Sequence, residues 1–263
     1  RTFSRNGYNV VDGNEYPSLV QGGHNTFTVR VSSEDIHSLT AELNIMVALD
    51  SNSISIHNDE VNAGGYLIYD SKNTEMGKDV EKRNNITYFD LPLKDMTESI
   101  DAPGIVRNNI ALGASMAFTN IDIESLKEVV EANFSRKGKK VVDQNIKAVE
   151  LGYKYAKEKL GRIPYSLHTV KNKRKVLLTA NDAVFLGGVR AGCKFYAAYP
   201  MTPASSILHS FASVENKKNI VVKHAESELA VVNMAVGASY AGTRSMLATS
   251  GGGFALMNEG LSA

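Results

Sequence analysis

Two groups of residues in the last third of the chain have types and spacing suited to chemistry. The first is the loop Tyr199-Pro200-Met201-Thr202-Pro203, in which two prolines flank a hydroxyl group. Because proline fixes φ, such a loop would hold the Thr202 hydroxyl in place before a substrate arrives. The structural alternative is that Thr202 caps the following helix ahead of Pro203, and one residue can serve both roles.

The second group centres on a carboxylate near the start of a helix, in the sequence Glu226-Ser227-Glu228. At helical spacing from Glu228, the positions on the same face are all apolar: Val231, Val232, Ala235 and Val236. Glu228 therefore heads the face that should pack inward, where a carboxylate is costly unless it has a partner. The alternative is an acid favoured by the helix dipole and partly in water. The apolar stripe favours a functional acid.

Both groups lie in a stretch that alternates short apolar runs with helical patterns, from Lys175 to Ala263. The runs read VLLTA, KFYAAYPMTP, IVVKHA and SMLATSGGG. Such alternation indicates βαβ units and a parallel sheet covered on both faces. The proline-flanked loop falls where the second of these strands ends.

The three ordered motifs YPMTP, AESELAVVNMAVGASYAG and SMLATSGGGFALMNEG resemble the α subunit of 2-oxoacid:ferredoxin oxidoreductases. That family carries a Tyr-Pro-[Ile/Met]-Thr-Pro loop, a Glu-x-Glu helix and a Thr-Ser-Gly-x-Gly-Phe turn in the same order. Gly252 stands where family members often have Pro, which changes loop stiffness more than chemistry. The resemblance implies a module like the pyrimidine-binding domain of thiamine diphosphate enzymes.

The N-terminal half resembles the γ domain of the same enzymes. The similarity rests on NEYPS from Asn14, on Gly22-Gly23-His24-Asn25 with the alternating strand at 26–31, and on VVDQNIKAVELGYKYAKEKL. The resemblance implies an α/β protein with a γ-type domain over 1–161 and a linker over 162–175. A parallel-sheet, pyrimidine-type thiamine-diphosphate-binding domain would follow over 176–263, incomplete at its C-terminus. A γ domain ahead of an α domain is often seen in enzymes that act on 2-oxoglutarate or on many 2-oxoacids.

The resemblance also implies an activity: oxidative decarboxylation of a 2-oxoacid to acyl-CoA and CO2, with reduction of ferredoxin. The favoured substrate is 2-oxoglutarate, with pyruvate next. Glu228 matches the catalytic glutamate, which hydrogen-bonds the aminopyrimidine ring of thiamine diphosphate. The other residues expected to bind this cofactor are Thr249, Ser250 and Gly251. Those expected to bind the substrate are Tyr199, Pro200, Met201, Thr202 and Pro203.

Coenzyme A is expected near the glycine-rich turn that contains His24, because the γ domain of the family lies near the coenzyme A path. The residues concerned are Gly22, Gly23, His24 and Asn25. Two glycines allow a close approach of the backbone to a ligand or another chain. The alternative is a turn histidine whose ring is satisfied within the protein.

Further parts of the machine are expected on other chains. A [4Fe-4S] cluster needs about four thiolates, and this chain has the single cysteine Cys193. Mg²⁺ and the cofactor's diphosphate are expected on a β subunit, since no Gly-Asp-Gly…Asn pattern occurs here. The family's substrate-binding arginine is expected beyond Ala263 and its glycine-rich opening before Arg1, so we expect a fragment that is inactive without its β subunit. Its histidines lack metal-ligand spacing, so no bound metal is expected on this chain.

Composition agrees with a globular protein of two domains: 263 residues, 43% hydrophobic and 22% charged. The formal net charge of +1 points to neither nucleic acid nor an anionic membrane. Without an apolar run of membrane-spanning length, a cytoplasmic location is expected. Two other functions stay open. One is a nucleotide-binding module that uses the Ser250-Gly251-Gly252-Gly253 loop, and the other is a non-catalytic scaffold.

Local patterns in the N-terminal half predict its elements. The first recognisable strand is the alternating one after His24, and a buried strand is predicted over 43–49. Gly64-Gly65 is expected to precede a strand at 66–69. Helices are predicted over 121–134, capped near Asp122, and over 141–160, ended by Gly161.

Overall fold

The computed structural model describes residues 1–15, 23–74, 80–168, 170–171 and 174–262. The chain divides into two compact units, an N-terminal unit Arg1–Leu177 and a C-terminal unit Leu178–Ala263. Within the described ranges, every helix is too short or too polar to span a lipid bilayer.

The N-terminal unit combines an antiparallel ribbon with a parallel sheet. The ribbon pairs β1 (Asn9–Glu15) with β2 (Thr26–Ser32). The parallel sheet has the order β3 (Leu43–Val47), β4 (Val61–Tyr69), β5 (Thr87–Asp90). The helices are α1 (Thr2–Arg5), α2 (Ser51–His57), α3 (Leu93–Ser99), α4 (Arg107–Met116), α5 (Ile123–Phe134) and α6 (Lys139–Leu160).

Helices α4 and α6 pack backbone to backbone through two glycines. A Cβ on Gly113 would lie 2.0 Å from the carbonyl oxygen of Val149, and one on Gly152 would lie 1.9 Å from that of Ile110. Neither position therefore has room for any side chain. The close crossing covers one face of the parallel sheet with a core that includes Phe118.

Several predictions for this unit are confirmed. The strand predicted over 43–49 is present as β3, although it ends at Val47 and Met46 is its one buried residue. The helix with its cap at Asp122 is α5, where the Asp122 carboxylate accepts a hydrogen bond from the Glu124 backbone N–H. Helix α6 ends at Gly161, which adopts a φ of 65°. Glycine adopts such a positive φ with little strain because it has no Cβ atom, so Gly161 can end the helix.

Two predictions for this unit are wrong. The strand after His24 is the second along the chain, because β1 precedes it. The segment that forms β1 contains Asp12-Gly13, a turn signal, and its pairing with β2 overrides that local preference. Gly64-Gly65 lies inside β4 and not before it.

The C-terminal unit is a parallel sheet with helices on both faces. The strands are β6 (Phe195–Ala198), β7 (Val221–His224) and β8 (Ser245–Leu247), in the order β7-β6-β8. The helices are α7 (Ala180–Arg190), α8 (Ser205–Lys218), α9 (Glu228–Tyr240), α10 (Gly251–Leu256) and α11 (Asn258–Leu261).

Alternate residues of the central strand β6 face the two helical layers. Tyr196 and Ala198 pack with α8, including Phe211, whereas Ala197 packs with Val231 and Val232 of α9. Helix α8 connects β6 to β7, and α9 connects β7 to β8. The two connections therefore run over opposite faces of the sheet, as in doubly wound folds.

The strand predicted at VLLTA is wrong. Residues 174–179 form no strand, and the Val176 side chain is 81% exposed. Thr179 instead forms a capping box with Asp182 and starts α7. Because of the capping box, the end of the apolar run forms the N-terminus of a helix and not a strand. The described sheet of this unit therefore has three strands.

Candidate active site at the carboxyl edge of the C-terminal sheet

The motifs predicted to do chemistry all follow carboxyl ends of strands in the C-terminal unit. Strand β6 leads into Tyr199–Pro203, β7 leads towards Glu228, and β8 leads into Thr249-Ser250-Gly251. Because the three strands are parallel, these segments meet at one edge of the sheet. The chain reverses its direction of winding at β6 and β8. Open α/β sheets bind ligands outside the carboxyl ends of strands at such a switch point.

Glu228 is the first residue of α9 and is only 3% exposed. The preceding Ser227 caps the helix by accepting a hydrogen bond from the Ala230 backbone N–H at 3.3 Å. As predicted, the face below Glu228 is buried at Val231, Val232 and Ala235.

Val236, predicted on the same face, is 47% exposed. At 100° per residue Val236 lies about 80° round the helix from Glu228. The buried face of α9 does not extend that far on the side of Val236. The prediction that Val236 is buried is therefore wrong.

The Glu228 carboxylate is buried without a partner. Its Oε1 atom accepts no hydrogen bond from any described residue. The buried Oγ1 atom of Thr249 also makes no hydrogen bond to a described residue. A Cβ placed on Gly253 would lie 2.7 Å from Glu228 Oε1 and 2.1 Å from Thr249 Oγ1. The two unpaired oxygens thus border the same spot, and only glycine leaves room for them there.

The proline-flanked loop is joined to the glycine-rich turn by a side chain. The Ser250 hydroxyl donates a hydrogen bond to the Thr202 carbonyl oxygen at 2.9 Å. Thr202 itself is exposed. Helix α8 begins at Ser205, with Ala204 at the cap position and no capping side chain. The alternative role of Thr202 as a helix cap is therefore wrong.

Beneath this edge lies an apolar core that contains two titratable groups. Tyr196 is fully buried and stacks on Phe211 with ring centroids 4.3 Å apart. Burial raises the pKa of Tyr196 to about 12 and also raises the pKa of the Cys193 thiol. A buried thiol with a raised pKa is a poor nucleophile, so Cys193 belongs to the packing of the sheet. The buried Tyr196 hydroxyl, like Glu228 Oε1, makes no hydrogen bond to a described residue.

In the N-terminal unit, one of the predicted coenzyme A residues, His24, belongs to a histidine pair. The Nε2 atoms of His24 and His57 are 2.7 Å apart, and His57 Nδ1 lies 2.7 Å from Glu60 Oε1. Asn25 Nδ2 donates to the Gly23 carbonyl oxygen at 3.2 Å. Gly22 lies outside the described residues. The Nε2 atom of His24 thus has a partner within the protein, which agrees with the alternative role of this histidine.

Comparison with known proteins identifies the family. Residues 1–155 match the family model described as pyruvate ferredoxin/flavodoxin oxidoreductase. Residues 187–263 match the model of its thiamine-diphosphate-binding domain. The chain belongs to the pyruvate ferredoxin/flavodoxin oxidoreductase family.

Relatives within this family bear out the resemblance seen in the sequence. The chain is 28% identical to the α subunit of 2-oxoacid:ferredoxin oxidoreductase 2 from Aeropyrum pernix, over 97% of this chain and 48% of the relative. It is 45% identical to the KorA subunit of 2-oxoglutarate synthase from Archaeoglobus fulgidus, over 32% of this chain and 25% of the relative. The chain spans about half the length of the long relatives it matches, between 47% and 48%.

A solved member of the family has the same fold. The structure of 2-oxoglutarate:ferredoxin oxidoreductase from Magnetococcus marinus, with 2-oxoglutarate, coenzyme A and succinyl-CoA bound, matches with a TM-score of 0.85 and 30% identity. The match covers 97% of this chain and 45% of that one. The predicted α/β class with a parallel-sheet thiamine-diphosphate domain is confirmed.

The chemistry of the site in this family member fits thiamine diphosphate. A carboxylate oxygen can only accept hydrogen bonds, whereas a threonine hydroxyl can also donate. Buried polar atoms without partners are uncommon and call for an explanation, of which a bound group is one. Glu228 and Thr249 therefore fit a ring that carries both an N–H donor and an acceptor nitrogen, which an aminopyrimidine supplies.

One residue at this edge is absent from the sequence predictions. Asn181, in the first turn of α7, donates through Nδ2 to the Pro203 carbonyl oxygen at 2.8 Å and to Ser206 Oγ at 2.7 Å. The capping box at Thr179 and Asp182 marks the helix start in the sequence. It gives no sign that the residue between them reaches the proline-flanked loop.

Proposed function

We propose that this chain is the α-type component of a 2-oxoacid:ferredoxin oxidoreductase. The complex would oxidatively decarboxylate a 2-oxoacid to acyl-CoA and CO2, with 2-oxoglutarate favoured and pyruvate next. Family membership and the similarity to a 2-oxoglutarate:ferredoxin oxidoreductase support the proposal. It rests above all on the buried and unpaired Glu228 carboxylate at the switch point of the C-terminal sheet.

Each residue at the edge has a part in the proposed mechanism. Glu228 accepts an N–H of the cofactor's aminopyrimidine and orients the ring, while Thr249, Ser250 and Gly251 line the same site. Thiamine diphosphate, when bound, supplies the nucleophile and the electron sink for loss of CO2. Thr202 directs its exposed hydroxyl to the oxygens of the 2-oxoacid, and the other loop residues shape the pocket: Tyr199, Pro200, Met201 and Pro203.

Partners complete the proposed machine. A β subunit would carry Mg²⁺ and the [4Fe-4S] cluster, and ferredoxin would receive the electrons. In this scheme residues 1–161 form the γ-type domain, 162–175 the linker and 176–263 the pyrimidine-type domain. The turn at Gly22, Gly23, His24 and Asn25 lies near coenzyme A. The single cysteine of this chain, buried in the core, agrees with a cluster held elsewhere.

The proposal is tested by comparing the chain alone with the assembled complex. With the β partner, we expect thiamine diphosphate to bind and a panel of 2-oxoacids to reduce an artificial electron acceptor, 2-oxoglutarate fastest. The chain alone should bind no oxoacid productively and form no acyl-CoA. Acyl-CoA formation by the chain alone would contradict the shared site. Binding of a nucleotide at the Ser250–Gly253 loop, without thiamine diphosphate binding in the complex, would favour the nucleotide-binding alternative.

A further inference from the structure

Two side chains from different elements hold two successive carbonyl groups of the proline-flanked loop. The Ser250 hydroxyl, from the turn after β8, donates to the Thr202 carbonyl oxygen at 2.9 Å. Asn181 Nδ2, from the first turn of α7, donates to the next carbonyl oxygen, that of Pro203, at 2.8 Å. Neither contact is made by neighbours in sequence, so the loop position depends on the tertiary fold.

Ser250 and Asn181 both direct their side-chain hydrogen bonds to the loop region and not to their own helices. Ser250 occupies the cap position of α10 but makes no capping hydrogen bond with its side chain. Serine at such a position ordinarily caps the helix with its oxygen. Asn181 Nδ2 also donates a hydrogen bond to Ser206 Oγ, in the first turn of α8, at 2.7 Å. The loop is therefore fixed at Thr202, at Pro203 and at the helix start that follows.

We propose that Asn181 and Ser250 form a two-point carbonyl clamp that positions the Thr202 hydroxyl for the 2-oxoacid. Both are positioning residues for Thr202, since they bind the loop and not the 2-oxoacid, and Ser250 in addition lines the proposed cofactor site. The inference rests on the proposed function of the loop. Hydrogen bonds to two adjacent carbonyl groups fix the direction of the chain at Thr202. A single hydrogen bond would allow the peptide groups of the loop to reorient about that bond. Preorganisation of this kind lowers the cost of binding.

Three conservative variants at the two clamp positions separate the clamp from helix stability. Asn181→Asp keeps the shape but removes the donor, and an acid in the first turn of α7 is favoured by the helix dipole. Ser250→Ala removes the hydroxyl and Ser250→Thr retains it. Matched controls make the same kinds of hydrogen bond elsewhere. Asn233→Asp alters a bond to the Leu229 carbonyl oxygen, and Ser213→Ala one to that of Ser210.

The first measurement is backbone amide hydrogen exchange on the chain without cofactor, over residues 199–207. This segment contains the bonds from Ser205 N–H to Met201 and from Ile207 N–H to Ala204. We expect faster exchange there in Asn181→Asp and Ser250→Ala, and wild-type exchange in Ser250→Thr and both controls. Unchanged exchange in the two clamp variants would overturn the clamp, whatever the enzyme's activity.

The second measurement is steady-state kinetics of the assembled complex. Each clamp variant should raise KM for the 2-oxoacid roughly threefold to tenfold, with a smaller change in kcat and an unaltered melting temperature. The double variant should lose less than the product of the two single losses, because both act on one loop. A multiplicative double variant, or KM values equal to those of the controls, would contradict the proposal. If the wild-type complex acts on no oxoacid, the proposed function fails, and hydrogen exchange still decides the clamp.

Discussion

Each unit of this protein buries a carboxylate beside its parallel sheet, but only one of the two carboxylates has partners. Asp70 follows β4 in the N-terminal unit, and Glu228 follows β7 in the C-terminal unit. Both residues are 3% exposed. Both oxygens of Asp70 accept hydrogen bonds, from the Lys72, Asn73 and Lys94 backbone N–H groups and from Asn73 Nδ2. Glu228 Oε1 accepts none within the described part of the chain.

Equal burial with unequal hydrogen bonding separates a structural acid from a candidate functional one. A buried carboxylate with several N–H partners is stabilised by them and organises the turn that donates them. A buried carboxylate without such partners lowers the stability of the fold and is retained only where something else requires it. Burial alone would have ranked the two residues equally as site candidates. The absence of partners, at a position outside the carboxyl ends of the strands, is what points to Glu228.

The largest effect is expected for Glu228→Gln in the assembled complex. Glutamine keeps the shape but is a far weaker acceptor, so exchange of the C2 proton of bound thiamine diphosphate should fall roughly 10²–10⁴-fold. Cofactor binding should be largely preserved. The melting temperature should hold or rise slightly, because a neutral amide replaces an unpaired buried carboxylate.

Glu226→Gln is the matched control, since Glu226 is exposed two residues away. It should leave C2 exchange close to that of the wild type. Hydrogen–deuterium exchange at C2, followed by magnetic resonance, measures both variants. Equal exchange in the Glu228 variant and the wild type would remove Glu228 from the mechanism.

The same substitution at Asp70 should have the opposite outcome. In Asp70→Asn, one carboxylate oxygen becomes an NH2 group that faces backbone donors, so several hydrogen bonds are lost at once. We expect the free energy of unfolding to fall by about 2–3 kcal/mol. Denaturant unfolding of the chain measures the loss, with Asp95→Asn on the exposed side of α3 as control. A stable Asp70 variant beside an unstable Glu228 variant would reverse the comparison.

The burial of Glu228 depends on residues close to it in sequence and could be predicted. The burial of Glu228 follows from helical spacing alone, because Val231, Val232 and Ala235 turn with it towards the sheet. The unpaired state of Glu228 Oε1 could not be predicted, since it depends on which groups the later parts of the chain bring next to it, Gly253 among them. The bond from Asn181 to Pro203 is tertiary for the same reason.

Errors in the prediction arose where pairing or capping overrode local preference. The segment at β1 contains a turn signal and is nevertheless held extended by β2 along its whole length. The apolar run VLLTA has strand composition, but it ends in the capping box at Thr179 and gains no neighbouring strand. Resemblance to the family indicated the candidate catalytic motifs, and the structure supplied the contacts among them.

A smaller effect is expected for Thr202→Ala, which removes a polar group that makes no hydrogen bond to a described residue through its side chain. Because the Thr202 carbonyl, and not its hydroxyl, is bound by Ser250, the fold should be unchanged. Loss of one preorganised hydrogen bond to the substrate should cost roughly 1–3 kcal/mol of transition-state stabilisation. Kinetics of the complex should show a raised KM for the oxoacid and a lower kcat. A lowered melting temperature with normal kinetics would make Thr202 structural, like Asp70.

The smallest effect is expected at the partnered ring of His24 in the N-terminal unit. In His24→Ala, His57 loses its Nε2 partner but keeps the bond from Nδ1 to Glu60, so the network is only partly broken. The free energy of unfolding should fall by about 1 kcal/mol, with kcat for the oxoacid unchanged. KM for coenzyme A separates the two roles of this turn. If the KM rises while stability holds, His24 contacts the ligand in spite of its partner, and hydrogen bonding within the protein no longer distinguishes structural from functional residues. If stability alone falls, the histidine pair belongs with Asp70, and coenzyme A contacts lie elsewhere.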